Sequence, residues 1–338
     1  MLLALVVLAG CTSAPSNSVA SSSSVAPINS ATVERLDELG LGDLERLHTT
    51  RDALLDFLQV DQRDIEVVHT EAGPIEVRID SEYVSTVRHT DAPAASDESC
   101  ALIYHAGHEP ARFGDYPVQL LARSVAAQGC EFWFISMPLN GVNAAPGDDD
   151  HEALHEELTQ LRSTQFEPFA LFVLPTMAVV DILEDAGVET IAVSGLSGGG
   201  WTSTFVAAAD PRIDITRSIA GSMPFEFERL GPEFLREAVN LTSLRGDFEQ
   251  SDPTFWGEIA TYWDIYALAG GPGRRVELLY FQHDNCCFPA TLVPVLNDAF
   301  EVLGVDATAF ADAQTNTHSL SPSAIEWIVR DLGTDGSS

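Results

Sequence analysis

The sequence predicts an α/β protein built on a mostly parallel, doubly wound sheet of about eight strands. Three observations carry that expectation. Short apolar runs of strand character, at 100–105, 130–137, 188–193, 215–220, 276–282 and 305–310, take turns with longer runs of helical spacing. That rhythm belongs to a parallel sheet covered on both faces. The chain has 338 residues, 45% of them apolar, enough to bury a sizeable core. Finally, at Gly195-Leu196-Ser197-Gly198-Gly199 a strand-like run passes straight into a helix-like one at 201–209, leaving no room for a loop.

Residues 1–10 are almost wholly apolar and end Leu8-Ala9-Gly10-Cys11. This resembles the lipobox of bacterial lipoproteins, in which the cysteine is acylated and becomes the new N-terminus. No Lys or Arg precedes the apolar run, a departure from the usual signal pattern. The run is too short to span a bilayer, so a cleaved signal peptide over 1–10 and lipidation at Cys11 are expected. Ser, Ala, Pro and Asn dominate 11–31, the composition of a flexible tether. Residues 32–62 read as a helical segment, with Val33, Leu36, Leu39, Leu44, Leu47, Leu54, Leu55 and Leu58 at helical spacing.

The main domain is expected over 63–333. It opens with alternation across 64–90, broken at Gly73-Pro74, which predicts two antiparallel leading strands. A helix at 116–128 follows the strand at 100–105. Another, at 167–186, is apolar nearly all round and so should be buried. Helices at 289–303 and 321–332 close the chain. No internal repeat interrupts this order, but the connection at about 224–273 does. It is dense in aromatics, among them Phe225, Phe227, Trp256, Tyr262, Trp263 and Tyr266.

The net charge is −34, and all 17 basic residues are arginine. Such a surface repels nucleic acid and anionic lipid, so neither is an expected partner, and membrane attachment should run through the N-terminal lipid alone. Absence of lysine also removes Schiff-base chemistry and the phosphate-binding loop of NTPases. Beyond Cys11, Cys100 and Cys130 each open a predicted strand, and a bridge between these neighbours is expected in an exported protein. Cys286 and Cys287 are adjacent, which permits a strained vicinal disulfide or two thiols.

The Gly-x-Ser-x-Gly pattern alone is weak, since chance gives about 0.15 matches in a chain of this composition. Its setting makes it strong. A serine at a tight strand-to-helix turn takes a strained backbone, and glycines two before and two after leave room for it. Ser197 then points outward at a helix N-terminus, whose free N–H groups favour developing negative charge. A serine nucleophile needs a base within reach and a third group to orient that base. Two histidines lie downstream, His283 and His318. His318 sits in Asn316-Thr317-His318-Ser319-Leu320, between the last strand and the last helix, where a proton carrier fits. Asp284 occupies the loop at the C-terminal end of the strand at 276–282, where carboxylates can face the sheet's ligand crevice, with a turn or helix-capping Asp as the alternative. Glu226 and Asp312 are the alternative acids.

The order Ser197, Asp284, His318, with the turn and the strand–helix rhythm, resembles the α/β-hydrolase superfamily from about 64 to 332. The resemblance implies an oxyanion hole made by the N–H of Gly198 and by one from the loop after the third strand. That loop is Tyr104-His105-Ala106-Gly107-His108, so Gly107 or His108 donates, while His105 and His108 shape it. The superfamily often has His-Gly there, where this chain has Ala106-Gly107. Three further stretches, 195–201 with 210–213, 246–250 and 284–288, resemble a group of uncharacterised bacterial hydrolases. In this setting the aromatic connection is expected to be a helical cap walling an apolar pocket, with an ordinary packing layer as the alternative.

One motif competes. His151-Glu152-Ala153-Leu154-His155 matches H-E-x-x-H, whose two histidines share a helix face and could ligate zinc. Asp148, Asp149, Asp150, Glu156 and Glu157 surround it, making it a charged, solvated helix start rather than the buried helix such sites use. No third ligand with a characteristic spacing appears, so no metal is expected. The chain is therefore expected to be a lipid-anchored, exported serine esterase that needs no cofactor and acts on a small-molecule or polymer-borne ester. Peptidases of this superfamily commonly carry a large gating domain, which residues 31–63 are too short to supply. A small peptidase or amidase, a zinc metallopeptidase through His151, Glu152 and His155, and a non-catalytic binding lipoprotein are the alternatives.

Overall fold

The computed structural model describes residues 43–70, 73–91, 100–108, 111–143, 157–158, 160–162, 166–224, 259–284, 288 and 290–333. Cys11 and the expected signal and tether, His151, Glu152 and His155, Glu226, Cys286 and Cys287, and most of the aromatic connection lie outside the described residues.

One sheet organises the fold. Its strands are β1 (Ile65–His69), β2 (Ile75–Ile79), β3 (Tyr83–Thr90), β4 (Cys100–His105), β5 (Glu131–Ile135), β6 (Thr190–Leu196), β7 (Ile215–Ile219), β8 (Arg275–Phe281) and β9 (Ala307–Asp312). They lie in the order β1-β2-β3-β5-β4-β6-β7-β8-β9. The first three strands and the β3–β5 pair are antiparallel, and every pair from β5 to β9 is parallel. Nine strands stand where about eight were expected, because the leading run folds into three. The second turn, at Asp80 and Ser81, uses positive φ at two non-glycine residues and so carries no Gly or Pro to announce it.

The parallel strands are joined by helices α2 (Tyr116–Ala127), α3 (Ala170–Asp185), α4 (Gly198–Ala209), α5 (Tyr262–Ala269) and α6 (Val293–Leu303). Helices α1 (Leu44–Leu58) and α7 (Pro322–Val329) precede and follow the sheet. β7 shows how the two faces are covered. Ser218 Oγ donates to Gly200 O of α4, whereas its neighbour Arg217 points the other way and donates to Ile328 O of α7, as strand alternation requires. The central strands β4, β6 and β7 are buried on both sides. Trp201, Phe169, Phe172 and Phe205 form the aromatic centre between α3 and α4.

Helix α5, at the described end of the aromatic connection, takes the packing-layer alternative: Tyr262, Trp263 and Tyr266 are all buried. Trp263 and Tyr266 pack edge-on against Phe300 of α6, and the Tyr266 hydroxyl bonds Ser222. This end of the connection is a packing layer. A capping box at Thr261 and Asp264 starts a regular helix whose residues are all buried.

Cys100 and Cys130 form a disulfide between the starts of β4 and β5, with Cα atoms 4.7 Å apart. The parallel register that pairs Ala101 with Glu131 brings them together.

Candidate active site

Strand order reverses at β4. The chain leaves β4 for β5 on one side, then returns to place β6 on the other. At such a reversal the loops beyond the strand C-termini part and leave a crevice. The loop after β4 and the turn after β6 stand next to each other there, since His105 pairs with Gly195.

Ser197 occupies that turn. Its backbone sits at φ 57 and ψ −127, a region that costs a non-glycine residue of order 1–3 kcal/mol and persists only when its surroundings enforce it. They do so on both sides: Ser197 N–H donates to Ile219 O of β7, and Ser197 O accepts from Trp201 N–H of α4. Although Ser197 is the N-cap of α4, its side chain makes no capping bond. The hydroxyl is left for other work. Behind it, the hydroxyls of Thr202, Ser203 and Thr204 return to carbonyls of their own helix, so this wholly buried helix hides no competing hydroxyl.

The loop after β4 is pressed onto the turn. A Cβ at Gly199 would overlap the His105 carbonyl oxygen, and one at Gly107 would overlap Leu196 O and stand 3.2 Å from Ser197 Cβ. Only glycines permit this approach. It sets the backbone of Gly107 directly beside Ser197, and Gly198 follows in the first turn of α4, where helix N–H groups have no intrahelical acceptor. The same loop is fixed from outside by Asn140, whose Nδ2–H donates to His108 O at 2.7 Å. Sequence reasoning passed over Asn140. The signal was its place in Asn140-Gly141, a turn pair just after β5.

His105 is structural. Its Nδ1 lies 2.8 Å from Ala106 O; a carbonyl only accepts, so the proton is on Nδ1. Burial, opposed by that hydrogen bond and reinforced by the neighbouring His108, pushes its pKa down to about 4. A neutral imidazole thus supports the loop.

In the loops beyond β9 and β8, His318 Nδ1 lies 2.8 Å from Asp284 Oδ2, and the Asp284 side chain is wholly buried. The carboxylate accepts, so Nδ1 donates and Nε2 is turned away from Asp284. Nε2 is buried and has no hydrogen-bond partner. Phe281, the last residue of β8, meets the imidazole edge-on at 6.3 Å. Of the alternative acids, Glu226 lies outside the described residues. Asp312 is committed elsewhere: its carboxylate accepts from Gln314 N–H, Thr315 Oγ1 and Ser323 Oγ. Burial would raise its pKa, but these bonds outweigh that and hold it below the ordinary value. His283 is exposed. Among the described residues no group of three or more His, Cys, Asp or Glu could hold a metal ion, and no helix is long and apolar enough to cross a membrane.

The architecture is the α/β-hydrolase fold. No protein-family model and no curated protein sequence matches the chain. Among solved structures, the methylesterase BT1017 matches with a TM-score of 0.56 at 13% identity, over 90% of this chain and 68% of that one. An acetyl xylan esterase from Paenibacillus sp. R4 matches with a TM-score of 0.50 at 14% identity, over 83% of this chain and 92% of that one. At such identities the likeness establishes the fold.

Proposed function

We propose that the chain is a serine hydrolase that cleaves acyl esters through a covalent acyl-enzyme. One observation carries this reading: the Asp284–His318 pair leaves Nε2 buried and unpartnered, on the same edge of the sheet as the strained, uncapped Ser197. In this mechanism Nε2 takes the Ser197 proton as Oγ attacks the acyl carbonyl, and Asp284 stabilises the imidazolium. The oxyanion meets the N–H of Gly198 and that of Gly107 or His108, an arrangement worth about 3 kcal/mol per donor. His318 passes its proton to the leaving alcohol, and water releases the acyl group by the same route. Two neighbours in fold are esterases by name, which supports an ester over an amide. Acylation at Cys11 and export complete the reading, and the Cys100–Cys130 bridge supports an oxidising compartment.

The test is labelling by a serine-reactive phosphonate together with hydrolysis of p-nitrophenyl esters of graded chain length. Both should be present in wild type and lost in Ser197→Ala. Labelling that persists in Ser197→Ala overturns the assignment of the nucleophile.

A further inference from the structure

We propose that the groove beside the His318 loop binds the sugar of a neutral carbohydrate ester. The proposal rests on the serine-hydrolase reading and names the alcohol half of its substrate. The groove has a volume of about 590 Å³, within the usual range for small-molecule sites, roughly 300–1,000 Å³. It runs between the N-terminal ends of α2 and α7, and Thr317 and Ser319, the neighbours of His318, form part of its wall. A ligand seated there lies against the loop that carries the base.

Its chemistry is selective. None of the 13 lining residues is charged, although charged residues make up 20% of the chain and the net charge is −34. Tyr116, a residue 73% exposed, brings an aromatic ring to it. The side-chain amides of Gln314 and Asn316 stand exposed in the same wall. The hydroxyls beneath are already engaged. Thr315 and Ser323 both donate to Asp312, and Ser321 lies 2.7 Å from Thr315 and 2.9 Å from Ser323, so the floor is held in one geometry. A sugar ring has apolar C–H faces and hydroxyl edges. An aromatic plate beside amides that both donate and accept is its complement. A long acyl chain would leave those amides unpaired. A polyanionic glycan would meet the field of a strongly acidic protein with no cation in the groove to offset it.

The experiment compares kcat/KM for an acetylated neutral oligosaccharide with that for p-nitrophenyl acetate. Tyr116→Ala should lower this ratio up to about tenfold, through KM for the oligosaccharide, while Tyr116→Phe keeps it. A ratio unchanged in Tyr116→Ala, or lowered equally in Tyr116→Phe, overturns the proposal. So does an acetylated polyuronate turned over as fast as the neutral ester. Failure to hydrolyse p-nitrophenyl acetate would instead strike the hydrolase reading. The groove is then judged by NMR titration with the deacetylated neutral oligosaccharide. Shifts at Tyr116 and Asn316 support the site, and their absence rules it out.

Discussion

His318 Nδ1 lies 2.8 Å from Asp284 Oδ2, yet the two residues belong to separate loops, beyond β9 and β8. Parallel pairing of Phe281 with Asp312 at the ends of those strands sets the loops side by side. Asp284 therefore fixes which ring nitrogen holds the proton. Asp284→Asn can turn its amide N–H toward Nδ1 and favour the other tautomer, which blocks Nε2 as a base. The expected result is a fall in kcat of about 10⁴ with the fold retained, read from p-nitrophenyl acetate turnover alongside thermal unfolding. A kcat within tenfold of wild type would remove Asp284 from the mechanism.

Gly107→Ala tests the oxyanion loop. The new Cβ collides with the Leu196 carbonyl and crowds Ser197 Cβ, so the loop must withdraw. Losing one donor lowers kcat by about 10² to 10³. Stability should change far less, because the loop lies at the crevice rim rather than in the sheet. Phosphonate labelling at a reduced rate, with normal far-UV circular dichroism, is the expected signature.

The parts legible in the sequence were those whose chemistry is local or paired by strand order. The serine turn is written in consecutive residues. The Cys100–Cys130 bridge follows from two neighbouring strands. His318 and Asp284 were readable as positions after the strands that became β9 and β8. What escaped depends on contacts between distant segments. Asp312 is an acid at a strand end, as Asp284 is, and only the hydroxyls of Thr315 and Ser323 folding back onto it distinguish the two. The third leading strand turned on positive φ at Asp80 and Ser81, which residue type does not reveal. Tyr262, Trp263 and Tyr266 have the composition of a pocket wall or of a core equally, and Phe300, 34 residues beyond Tyr266, decides the matter.

The disulfide joins the starts of β4 and β5, the ends remote from the crevice. It closes a loop of 30 residues in sequence separation, for which the chain-entropy model gives about 3–4 kcal/mol. The Cys100→Ala, Cys130→Ala double variant should lose that much in urea denaturation while kcat stays as in wild type. A lowered kcat in the folded double variant would tie the bridge to the site.

Glu277 holds two arginines. Arg217 Nε lies 2.5 Å from its Oε2, and Arg330 Nη2 lies 3.1 Å from its Oε1. The Arg217 side chain is fully buried, whereas that of Arg330 is 45% exposed. Removing the carboxylate strands the Arg217 charge, so Glu277→Ala should cost about 3–5 kcal/mol. Replacing both partners, as in Arg217→Met with Glu277→Leu, leaves no buried charge and should recover much of that loss. Equal destabilisation of the single and double variants would show that packing, not charge, is what Glu277 supplies.

His105 makes stability depend on pH. In the unfolded chain its imidazole titrates near the ordinary 6.5, while in the folded protein burial pushes it down to about 4. Between those values the unfolded state binds a proton that the folded state refuses, so stability falls as pH drops from above 6.5 toward 4. Below about 4 both states are protonated and this residue adds no further change. The full effect is about 3 kcal/mol. The 51 acidic residues act in the opposite direction, because their protonation relieves the self-repulsion of a chain at −34. A single curve cannot separate the two, but a variant can. His105→Asn keeps a donor for Ala106 O and removes the titration. The stability difference between wild type and His105→Asn, measured by urea denaturation at pH 7.5 and pH 4, should shift by about 3 kcal/mol in favour of the variant at the lower pH. Parallel curves would mean that the imidazole is reached by water and protonated in place.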